Sequence, residues 1–542
     1  MNKIKKKKPK SLASLLNKKK VETIEFIEDD YGLETNIVTE NLINNINYLK
    51  ETMGFSNDLV TRELIINHHP FVKGFACYIA GLVDEKLVSE FIIKSLIEEP
   101  MEIHSNFKDE LLMAIQKNTL TVANVSEANE WNEIIHGLLS GKTILFIEGI
   151  NQAILGGTQG GEWRSIEEPT SEITIRGPKD GFNESLKTNI SLIRRRIKSP
   201  HLRPEILQLG TVTQTDVAIV YIEGIANPKL VQEVKDRINR IEIDEVLASL
   251  TIEELIQDHS FTPFPTIFNT ERPDIVANTL VDGRVVIIVD GTPFVLIAPT
   301  SFAQFFKAAE DYYQRYDLST LIRILRYLAF SAALLGPSIY IALITFHQDL
   351  IPTTLVISLA AQREGIPFPA FIEALIMEVM FEVLREAGVR MPRAIGQAVS
   401  IVGALVIGQA AVQAGIVSAA MVIVVAGTAI CSFTTPAYSL AIAARILRFA
   451  MMILAATMGL YGIILGLIIF VAHLCSLRSF GYPYLAPFAP FILEDQKDGL
   501  FRFPLWARRK RPRLVSQIRS TRMKQGLKPT LQNKKSEAND NV

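Results

Sequence analysis

The stretch "GEWRSIEEPTSEITIRGPKDGFNESLKTNISLIRRRIKSPHLR" (Gly161–Arg203) organises this chain, because it separates two regions with regular secondary-structure patterns. Acidic and basic residues alternate along it, so no Ser–His–Asp, Cys–His or isolated carboxylate arrangement can be identified. Alternating charges with Pro169, Pro178 and nearby glycines are typical of a turn-rich linker whose ion pairs orient an interface more than they strengthen it. The stretch is predicted to hold domains or subunits together; anion binding and catalysis are the alternatives.

Eight charged residues of this stretch are the candidates for subunit or interdomain contacts. They are Arg164, Glu167, Glu168, Arg176, Glu184, Arg194, Arg195 and Arg196. The run "SLIRRRI", which contains the last three, is typical of the end of a helix whose basic face meets a neighbour.

The 542 residues divide into a soluble-type first part and an apolar second part. Mean hydropathy is +0.23, but nearly all the apolar excess follows residue 320. The basic N-terminus lacks the apolar core of a secretory signal. The first segment able to span a bilayer begins near Leu321, so everything before it is expected to stay in the cytosol. The net charge of −1 gives no general attraction to nucleic acid.

Metal, cofactor and catalytic chemistry have little support in the sequence. Three cysteines cannot form a disulfide framework or a four-ligand zinc site, and the eight histidines show no HxxxH or HExxH spacing. "GLLSGKT" (Gly137–Thr143) has three residues where a P-loop has four, and it precedes its strand. "GGTQGG" (Gly156–Gly161) carries no lysine, so turn glycines are the favoured interpretation. We expect no metal, no cofactor and no enzyme activity.

The soluble part is predicted to contain two mixed α/β subdomains on either side of the charged stretch. "LVSEFIIKSLIEEP" has helical spacing, and "TILFIEG" reads as a buried strand. Further on, "DVAIVYIEG" reads as a strand and "NPKLVQEVKDRINRI" as a helix with Asn227 as N-cap and Pro228 in its first position. "GRVVIIVDGTPFVLIAP" reads as a hairpin that turns at Asp290-Gly291.

A polytopic helical membrane domain is predicted to follow, because a bilayer span needs about 20 mainly apolar residues. Four segments meet this requirement: Leu321–Phe346, Ala394–Gln413, Ile416–Thr435 and Phe449–Leu474. The segment Ile366–Ala387 is ambiguous, and the stretches 351–362 and around Tyr484 are candidates for re-entrant segments. About four to six passes result, and the Lys/Arg distribution predicts that both termini are cytosolic.

The predicted organisation has six parts. They are a basic tail (1–36), a first cytosolic subdomain (37–160), the charged segment (161–204), a second cytosolic subdomain (205–318), the helical membrane domain (319–495) and a basic C-terminal tail (496–542). Basic residues of the tails are expected to contact anionic lipid, at about 1 kcal/mol per nearby residue.

Two helices of the apolar part are candidates for a polar path. Glu378, Glu382 and Glu386 recur every four residues and so share one helix face, where a symmetric oligomer would form acidic rings that favour cations. An amphipathic helix on the membrane surface, with Arg385 offsetting the acids, is the open alternative.

A second stripe runs along "AIGQAVSIVGALVIGQAAVQAG" at spacings of three and four. It consists of Val399, Val402, Val406, Gln409 and Gln413. A valine constriction with glutamines at one end is typical of a gate that closes by dewetting. Ordinary helix packing through the small residues of this segment is the alternative.

Several long strings in this order resemble the A subunit of the GerA-type spore germination receptors. They include "EGINQAILGGTQGGEWRSIEEPTSEITIRGPKDGF", "TERPDIVANTLVDGRVVIIVDGTPFVLIAP", "GPSIYIALITFHQDLIPTTLVISLAAQREGIPFP", "LREAGVRMPRAIGQAVSIVGALVIGQAAVQAG" and "CSFTTP". The resemblance covers roughly residues 40 to 495, and both tails fall outside it.

The resemblance implies a multi-pass protein of the inner membrane of the bacterial spore. Its partners would be a transporter-like, nutrient-binding B subunit and a lipoprotein C subunit. Self-association into a ring, expected to be a pentamer, would form a nutrient-gated channel for monovalent cations. A non-conducting signalling scaffold, and a secondary transporter that uses the membrane glutamates, are the other functions considered.

Overall fold

The computed structural model describes residues 37–68, 71–98, 124–160, 168–169, 171–391 and 408–529. The N-terminal tail and the predicted contact residues Arg164 and Glu167 lie outside these ranges. Val399, Val402 and Val406, the valines of the predicted gate, also lie outside them.

The first subdomain is built on a five-stranded antiparallel sheet. Its strands are β1 (Leu59–His68), β2 (Phe71–Ile79), β3 (Val125–Ala128), β4 (Thr143–Ile147) and β5 (Ala153–Gly156). Their order across the sheet is β1-β2-β4-β5-β3. Its helices are α1 (Leu42–Thr52), α2 (Glu85–Leu87), a π-helical continuation (Val88–Ile93), α3 (Lys94–Glu98) and α4 (Trp131–Leu139).

Both faces of this sheet are buried, which explains why β4 is apolar throughout. Ile144 and Phe146 pack on one face with α1 and α4, and the ring of Trp131 lies 5.6 Å from that of Phe146. Leu145 and Ile147 pack on the other face with the π-helical continuation. Successive strand residues point to opposite faces, so a strand between two helical layers needs an apolar residue at every position.

The second subdomain is built on another five-stranded antiparallel sheet. Its strands are β6 (Leu202–Leu209), β7 (Thr215–Ile222), β8 (Phe268–Thr270), β9 (Val285–Val289) and β10 (Val295–Ala298). Helices α5 (Leu186–Arg196) and α8 (Pro273–Val281) cover one face. Helices α6 (Pro228–Asn239) and α7 (Ser249–Ile256) cover the other.

The two subdomains share one topology, which the sequence indicated only as a mixed α/β class. In both sheets the strand order is first, second, fourth, fifth, third. The predicted turn at Asp290-Gly291 is confirmed, since β9 pairs with β10 around it and Gly291 has a φ of 85°. The predicted N-cap is confirmed too, because the Asn227 side chain accepts the N–H of Lys229 at 3.0 Å.

The described residues of the apolar second part are mainly helical. Its helices are α9 (Tyr316–Thr345), α10 (Thr353–Arg363), α11 (Ala370–Arg390), α12 (Gly408–Gln413), α13 (Ala419–Phe433) and α14 (Tyr438–Ser476). In the described ranges, α9 and α14 are long and apolar enough to cross a membrane. The count of about four to six passes therefore stays a prediction.

Helix α14 is a hairpin with its turn at Gly459, whose φ of 61° and ψ of −140° are not helical. A Cβ atom on Gly462 would lie 2.2 Å from the carbonyl oxygen of Leu454, and one on Gly466 would lie 2.6 Å from the sulfur of Met451. In a continuous helix, Leu454 and Gly462 would be about 12 Å apart. The arms 438–458 and 460–476 therefore fold back against each other.

The prediction of a single span over Phe449–Leu474 is consequently wrong. Apolar residues continue on both sides of Gly459, so hydropathy gives no sign of the turn. The turn abuts the end of α9, where a Cβ on Gly459 would lie 2.7 Å from Cε1 of His347. At 1.5 Å per residue the first arm is about 30 Å long, close to the thickness of a bilayer core.

The prediction of a re-entrant segment around Tyr484 is also wrong. After α14 the chain forms a two-stranded ribbon of β11 (Arg478–Ser479) and β12 (Tyr482–Pro483). The ring of Tyr484 is fully buried against Phe302 and Phe305 of the second subdomain, at centroid distances of 6.1 and 6.2 Å. These aromatic contacts place the segment on the second subdomain, and a short helix α15 (Leu493–Gln496) follows.

Replacing Gly459 with alanine is expected to destabilise the hairpin. Backbone strain at this conformation costs about 1–3 kcal/mol, and the added methyl group also displaces His347. The thermal unfolding midpoint of the full chain in detergent should fall. Gly427→Ala in α13 is the matched control, because its methyl group meets nothing within 4 Å and alanine favours helix. Equal midpoints for the two variants would contradict the hairpin.

Candidate functional site

Arg194 joins the charged stretch to the first subdomain. It lies in the last turn of α5, and its side chain is fully buried. Its Nε donates to Oδ2 of Asp58 at 2.7 Å, while Nη2 donates to Oδ1 of Asp58 and to Oγ of Ser56 at 3.0 Å each. A guanidinium that contacts both carboxylate oxygens has a fixed geometry. Because the apolar face of α5 packs on the second sheet, this pair sets how the two subdomains are oriented.

Arg203 forms a second bridge between the subdomains. Its Nη1 donates to the carbonyl oxygen of Met53, in the first subdomain, at 2.5 Å. Its Nη2 pairs with Glu223, in the second subdomain, at 2.7 Å. Among the neighbouring predicted contact residues, Arg195 donates to the carbonyl oxygen of Gly160 at 3.3 Å.

Arg272 fixes the loop 172–178 on the second subdomain, and sequence reasoning missed it. The side chain is buried and pairs with Asp274 at 3.0 Å. Nη1 donates to the carbonyl oxygen of Glu172 at 3.0 Å, and Nη2 donates to that of Pro178 at 2.8 Å. One buried guanidinium therefore defines the conformation of a loop that has no helix or strand of its own.

The fixed loop presents two apolar side chains outward. Ile173 and Ile175 are 75% and 90% exposed, and Arg176 beside them is exposed as well. The described part of the chain leaves these two isoleucines uncovered.

The eight predicted contact residues therefore fall into three groups. Arg194, Arg195 and Arg196 bind within the chain, the last through an ion pair with Asp180. Glu168, Arg176 and Glu184 have exposed side chains, and Arg164 and Glu167 lie outside the described residues.

The start of α9 is fixed to the second subdomain by a buried cluster of charges. Asp311 lies immediately before α9 and accepts hydrogen bonds from Arg323 at 2.9 and 3.1 Å. Arg326 donates to both oxygens of Asp311, at 2.8 and 2.9 Å, and to the carbonyl oxygen of Phe306 at 3.1 Å. We call the residues Asp311, Arg323, Arg326 and Asp498 the root cluster.

Asp498 joins the C-terminal segment to this cluster. It pairs with Arg323 at 3.2 Å, with Arg508 at 2.7 Å and with Lys307 at 3.3 Å. Burial alone would raise the pKa of Asp498, but Lys307, Arg508 and Arg323 together hold it well below its usual range. The stability that these pairs contribute is therefore complete above the ordinary carboxyl pKa of about 4 and is lost as the pH falls below it.

The three glutamates predicted to line an ion path each have an arginine partner in the same chain. Glu378 and Arg448 are both buried and pair at 2.5 Å. Glu382 pairs with Arg445 at 3.0 Å.

Glu386, the third glutamate, pairs with Arg390 at 2.6 Å near the exposed end of α11. The stripe predicted from the sequence is thus formally neutral in this chain. Its role in an ion path stays a prediction, because a paired carboxylate attracts a cation less strongly than a free one.

Gln409 and Gln413 are the members of the predicted gate that the structure describes. Both lie on α12, and both are exposed in the single chain. "GLLSGKT" runs from the end of α4 through a turn into β4, so it has the helix–turn–strand order that is opposite to a P-loop. Among the described residues, no group of three or more His, Cys, Asp or Glu is arranged to hold a metal ion.

Replacing Arg194 with alanine is expected to lower the free energy of unfolding by about 3–5 kcal/mol, because Asp58 is left buried without a partner. Urea titration of the full chain in detergent, followed by tryptophan fluorescence, measures the change. Lys187→Ala is the matched control: Lys187 also lies on α5 and pairs with Glu85 of the first subdomain, but both side chains are exposed. That pair should contribute about 0–1 kcal/mol. Similar losses in the two variants would contradict the role of Arg194.

Comparison with known proteins identifies the family. Residues 47–514 match the family described as Bacillus/Clostridium GerA spore germination protein. Spore germination protein KA of Bacillus subtilis is 53% identical over 452 residues, which are 83% of this chain and 82% of that protein. The uncharacterized membrane protein YfkQ of Bacillus subtilis is 49% identical over 440 residues, which are 81% of this chain and 85% of that protein.

A solved structure also matches half of the chain. It is the crystal structure of the N-terminal domain of the A subunit of the Bacillus megaterium spore germinant receptor GerK3, at 36% identity and a TM-score of 0.39. The match covers 50% of this chain and 99% of that one. With a family match over residues 47–514 and relatives this similar over four-fifths of its length, the chain belongs to the GerA family of spore germination proteins.

Proposed function

We propose that this chain is the A subunit of a germinant receptor and that it assembles into a ring in the inner membrane of the spore. The ring, expected to hold five copies, is a nutrient-gated channel for monovalent cations. A transporter-like B subunit binds the nutrient, and a lipoprotein C subunit completes the receptor. In this arrangement both subdomains and both termini are cytosolic. Family membership supports the receptor role, and it gives no support for an enzyme.

The observation that carries the channel proposal is the pair of exposed glutamines on α12. Gln409 and Gln413 are four residues apart, so they share one helix face, and none of the residues that the structure describes covers them. A primary amide that faces lipid without a hydrogen-bond partner is costly, so such side chains face protein or water. In the proposed ring, α12 and the segment before it line the central path. The glutamines then face water and the neighbouring subunits.

Apolar surfaces left uncovered in the single chain support an oligomer. Leu321, Leu325 and Leu328 are exposed along one face of α9, at spacings of four and three. Ile173 and Ile175 are exposed on the fixed loop of the second subdomain. The proposed ring covers the loop with a neighbouring subunit and leaves part of the helical surface to lipid.

The two alternative functions can be compared by what each requires of the glutamates on α11 and of the glutamines on α12. A secondary transporter needs carboxylates that exchange protons or cations, yet Glu378 is buried against Arg448. A non-conducting scaffold needs only the subdomain and root contacts, and it makes no use of exposed glutamines. The ion-pairing of α11 therefore favours the channel over the transporter, and the glutamines of α12 favour it over the scaffold.

Replacing Ile175 with aspartate is expected to weaken assembly without unfolding the chain. The side chain is 90% exposed, so the substitution breaks no contact within the subunit, whereas it buries a charge in the proposed interface. Mass photometry of the full chain in nanodiscs should show a shift from rings to smaller species. Val212→Asp, at another exposed apolar position on the second subdomain, is the control. An unchanged mass distribution for Ile175→Asp would exclude this loop from the interface.

Cation efflux tests the channel itself. Vesicles that hold this chain with its B and C partners are loaded with K⁺, and efflux is followed before and after nutrient addition. Ligand-triggered efflux is expected, and Val406→Ala should make it constant by loosening the dewetted gate. Val379→Ala, at an exposed position of α11, should keep the dependence on ligand. A complex that binds ligand but releases no K⁺ would make the chain a scaffold.

A further inference from the structure

A cavity of about 90 Å³ lies where the second subdomain meets the segment that follows α14. Arg284, at the entrance to β9, and Thr300, just after β10, contribute to its wall from the second subdomain. Pro487 contributes from the segment after α14, and Asp498 and Arg508 contribute from the C-terminal tail. By the same measure one water needs about 10–15 Å³, so the cavity has room for several waters or for a small oxyanion.

Arg284 has hydrogen-bond donors that no described residue accepts. Its side chain is 5% exposed, and Nη2 makes one long contact with Oε1 of Gln304 at 3.5 Å. Nε and Nη1 are buried without a partner among the described residues. Burial lowers the pKa of Arg284, although Asp282, Tyr312 and Asp498 oppose this effect. A buried guanidinium with empty donors is costly, and an anion in the cavity would offset that cost.

Thr300 brings a second unpartnered group to the same cavity. Thr300 is 3% exposed, and its hydroxyl has no hydrogen-bond partner in the described part of the chain. The position of this hydroxyl is fixed by the backbone, since the N–H of Thr300 donates to Oγ of Ser479 at 3.0 Å. Two polar groups, from the two ends of the β9–β10 hairpin, thus line one cavity without a partner.

The charges around the cavity leave a positive excess. Seven lysines and arginines line it, against four acids. Asp498 is held by Lys307 and Arg508, and Asp282 pairs with Arg522 at 3.0 Å.

The two remaining acids also have partners. Glu494 pairs with Lys497 at 3.1 Å, and Asp495 accepts the backbone N–H of Arg513 at 3.1 Å. Every acid of the cavity wall is therefore engaged, while Arg284 keeps free donors.

We propose that this cavity binds a phosphate group, which Arg284 and Thr300 hold by hydrogen bonds and the neighbouring basic side chains hold by charge. A guanidinium N–H donates to a phosphate oxygen by a charge-assisted hydrogen bond, and the hydroxyl adds a further donor. The phosphate is either a free ion or the monoester headgroup of a lipid, because Tyr482 and Pro483 in the cavity wall follow α14 in the chain. In both cases the bound group ties the C-terminal tail to the β9–β10 hairpin.

Thermal unfolding of the full chain in phosphatidylcholine nanodiscs tests the proposal. Inorganic phosphate is titrated at constant ionic strength against a chloride reference, and a ligand that binds the folded chain raises the midpoint. Arg284→Met should match or exceed the wild-type midpoint without phosphate, because it removes an unpaired buried charge. With phosphate the order should invert, as loss of Arg284 weakens binding by about tenfold or more.

Two further variants separate binding from general effects. Thr300→Val keeps the shape of the side chain and removes the hydroxyl, so it should reduce the phosphate response even if Arg284→Met does not fold. Arg315→Met removes an exposed arginine away from the cavity and should respond to phosphate as the wild type does.

Thermal unfolding in a second set of nanodiscs, which contain phosphatidic acid, distinguishes the two sources of the phosphate. A midpoint raised by this lipid and insensitive to inorganic phosphate identifies the headgroup, whereas the reverse identifies the free ion. The proposal is overturned if neither raises the wild-type midpoint, or if the increase is the same in the wild type, Arg284→Met and Thr300→Val. The cavity would then hold water alone.

Discussion

The structure depends on two carboxylates paired with arginines, the buried Asp311 and the partly buried Asp498, at the point where the second subdomain continues into α9. Removing a carboxylate from water is costly, and the cost is repaid only by well-placed partners. Arg323 lies between the two acids, and Arg326 donates to both oxygens of Asp311. Since loss of Asp311 would leave Arg326 buried without a carboxylate partner, the root cluster holds α9 and the second subdomain as one rigid body.

The last helical element returns to the same subdomain. After the hairpin of α14, Ser479 accepts the N–H of Thr300 and donates to the carbonyl oxygen of Thr266 at 2.6 Å. Tyr484 is buried against the aromatic residues that precede α9. The second subdomain therefore carries both ends of the helical region, while Arg194 and Arg203 attach the first subdomain to it. In the proposed receptor, a change in how the second subdomains meet around the ring would be transmitted directly to the helices.

The sequence predicted the features that are set by neighbouring residues, such as turns and helix caps. It did not predict the contacts between residues that are far apart in the chain. The turn at Asp290-Gly291 and the cap at Asn227 follow from local chemistry, and the apolar pattern of β4 indicated a buried strand. The charged stretch was recognised as a junction, but Asp58 lies 136 positions before Arg194, and nothing in the sequence joins them.

The wrong predictions at Gly459 and around Tyr484 also come from features that the sequence pattern does not show. An apolar run longer than one span hid the turn at Gly459, since a positive φ leaves no mark on hydropathy. The aromatic and proline residues around Tyr484 resembled membrane sequence because a buried interface and a lipid-facing surface both favour apolar side chains. Asp311 and Asp498 stood among many acids, and only their arginine partners distinguish them.

A distance distribution between two spin labels shows whether α9 and the second subdomain move as one body. One label replaces exposed Lys229 on α6 and the other replaces Leu350 beyond the far end of α9. Cys431 and Cys475 are changed to serine, whereas Cys77 is buried and, with its thiol pKa raised by burial to about 12, does not react with the label. With labelled chain diluted into unlabelled chain, so that distances within one subunit are measured, we expect one narrow distribution that broadens in Asp311→Asn. A distribution that is already as broad in the parent chain would contradict it.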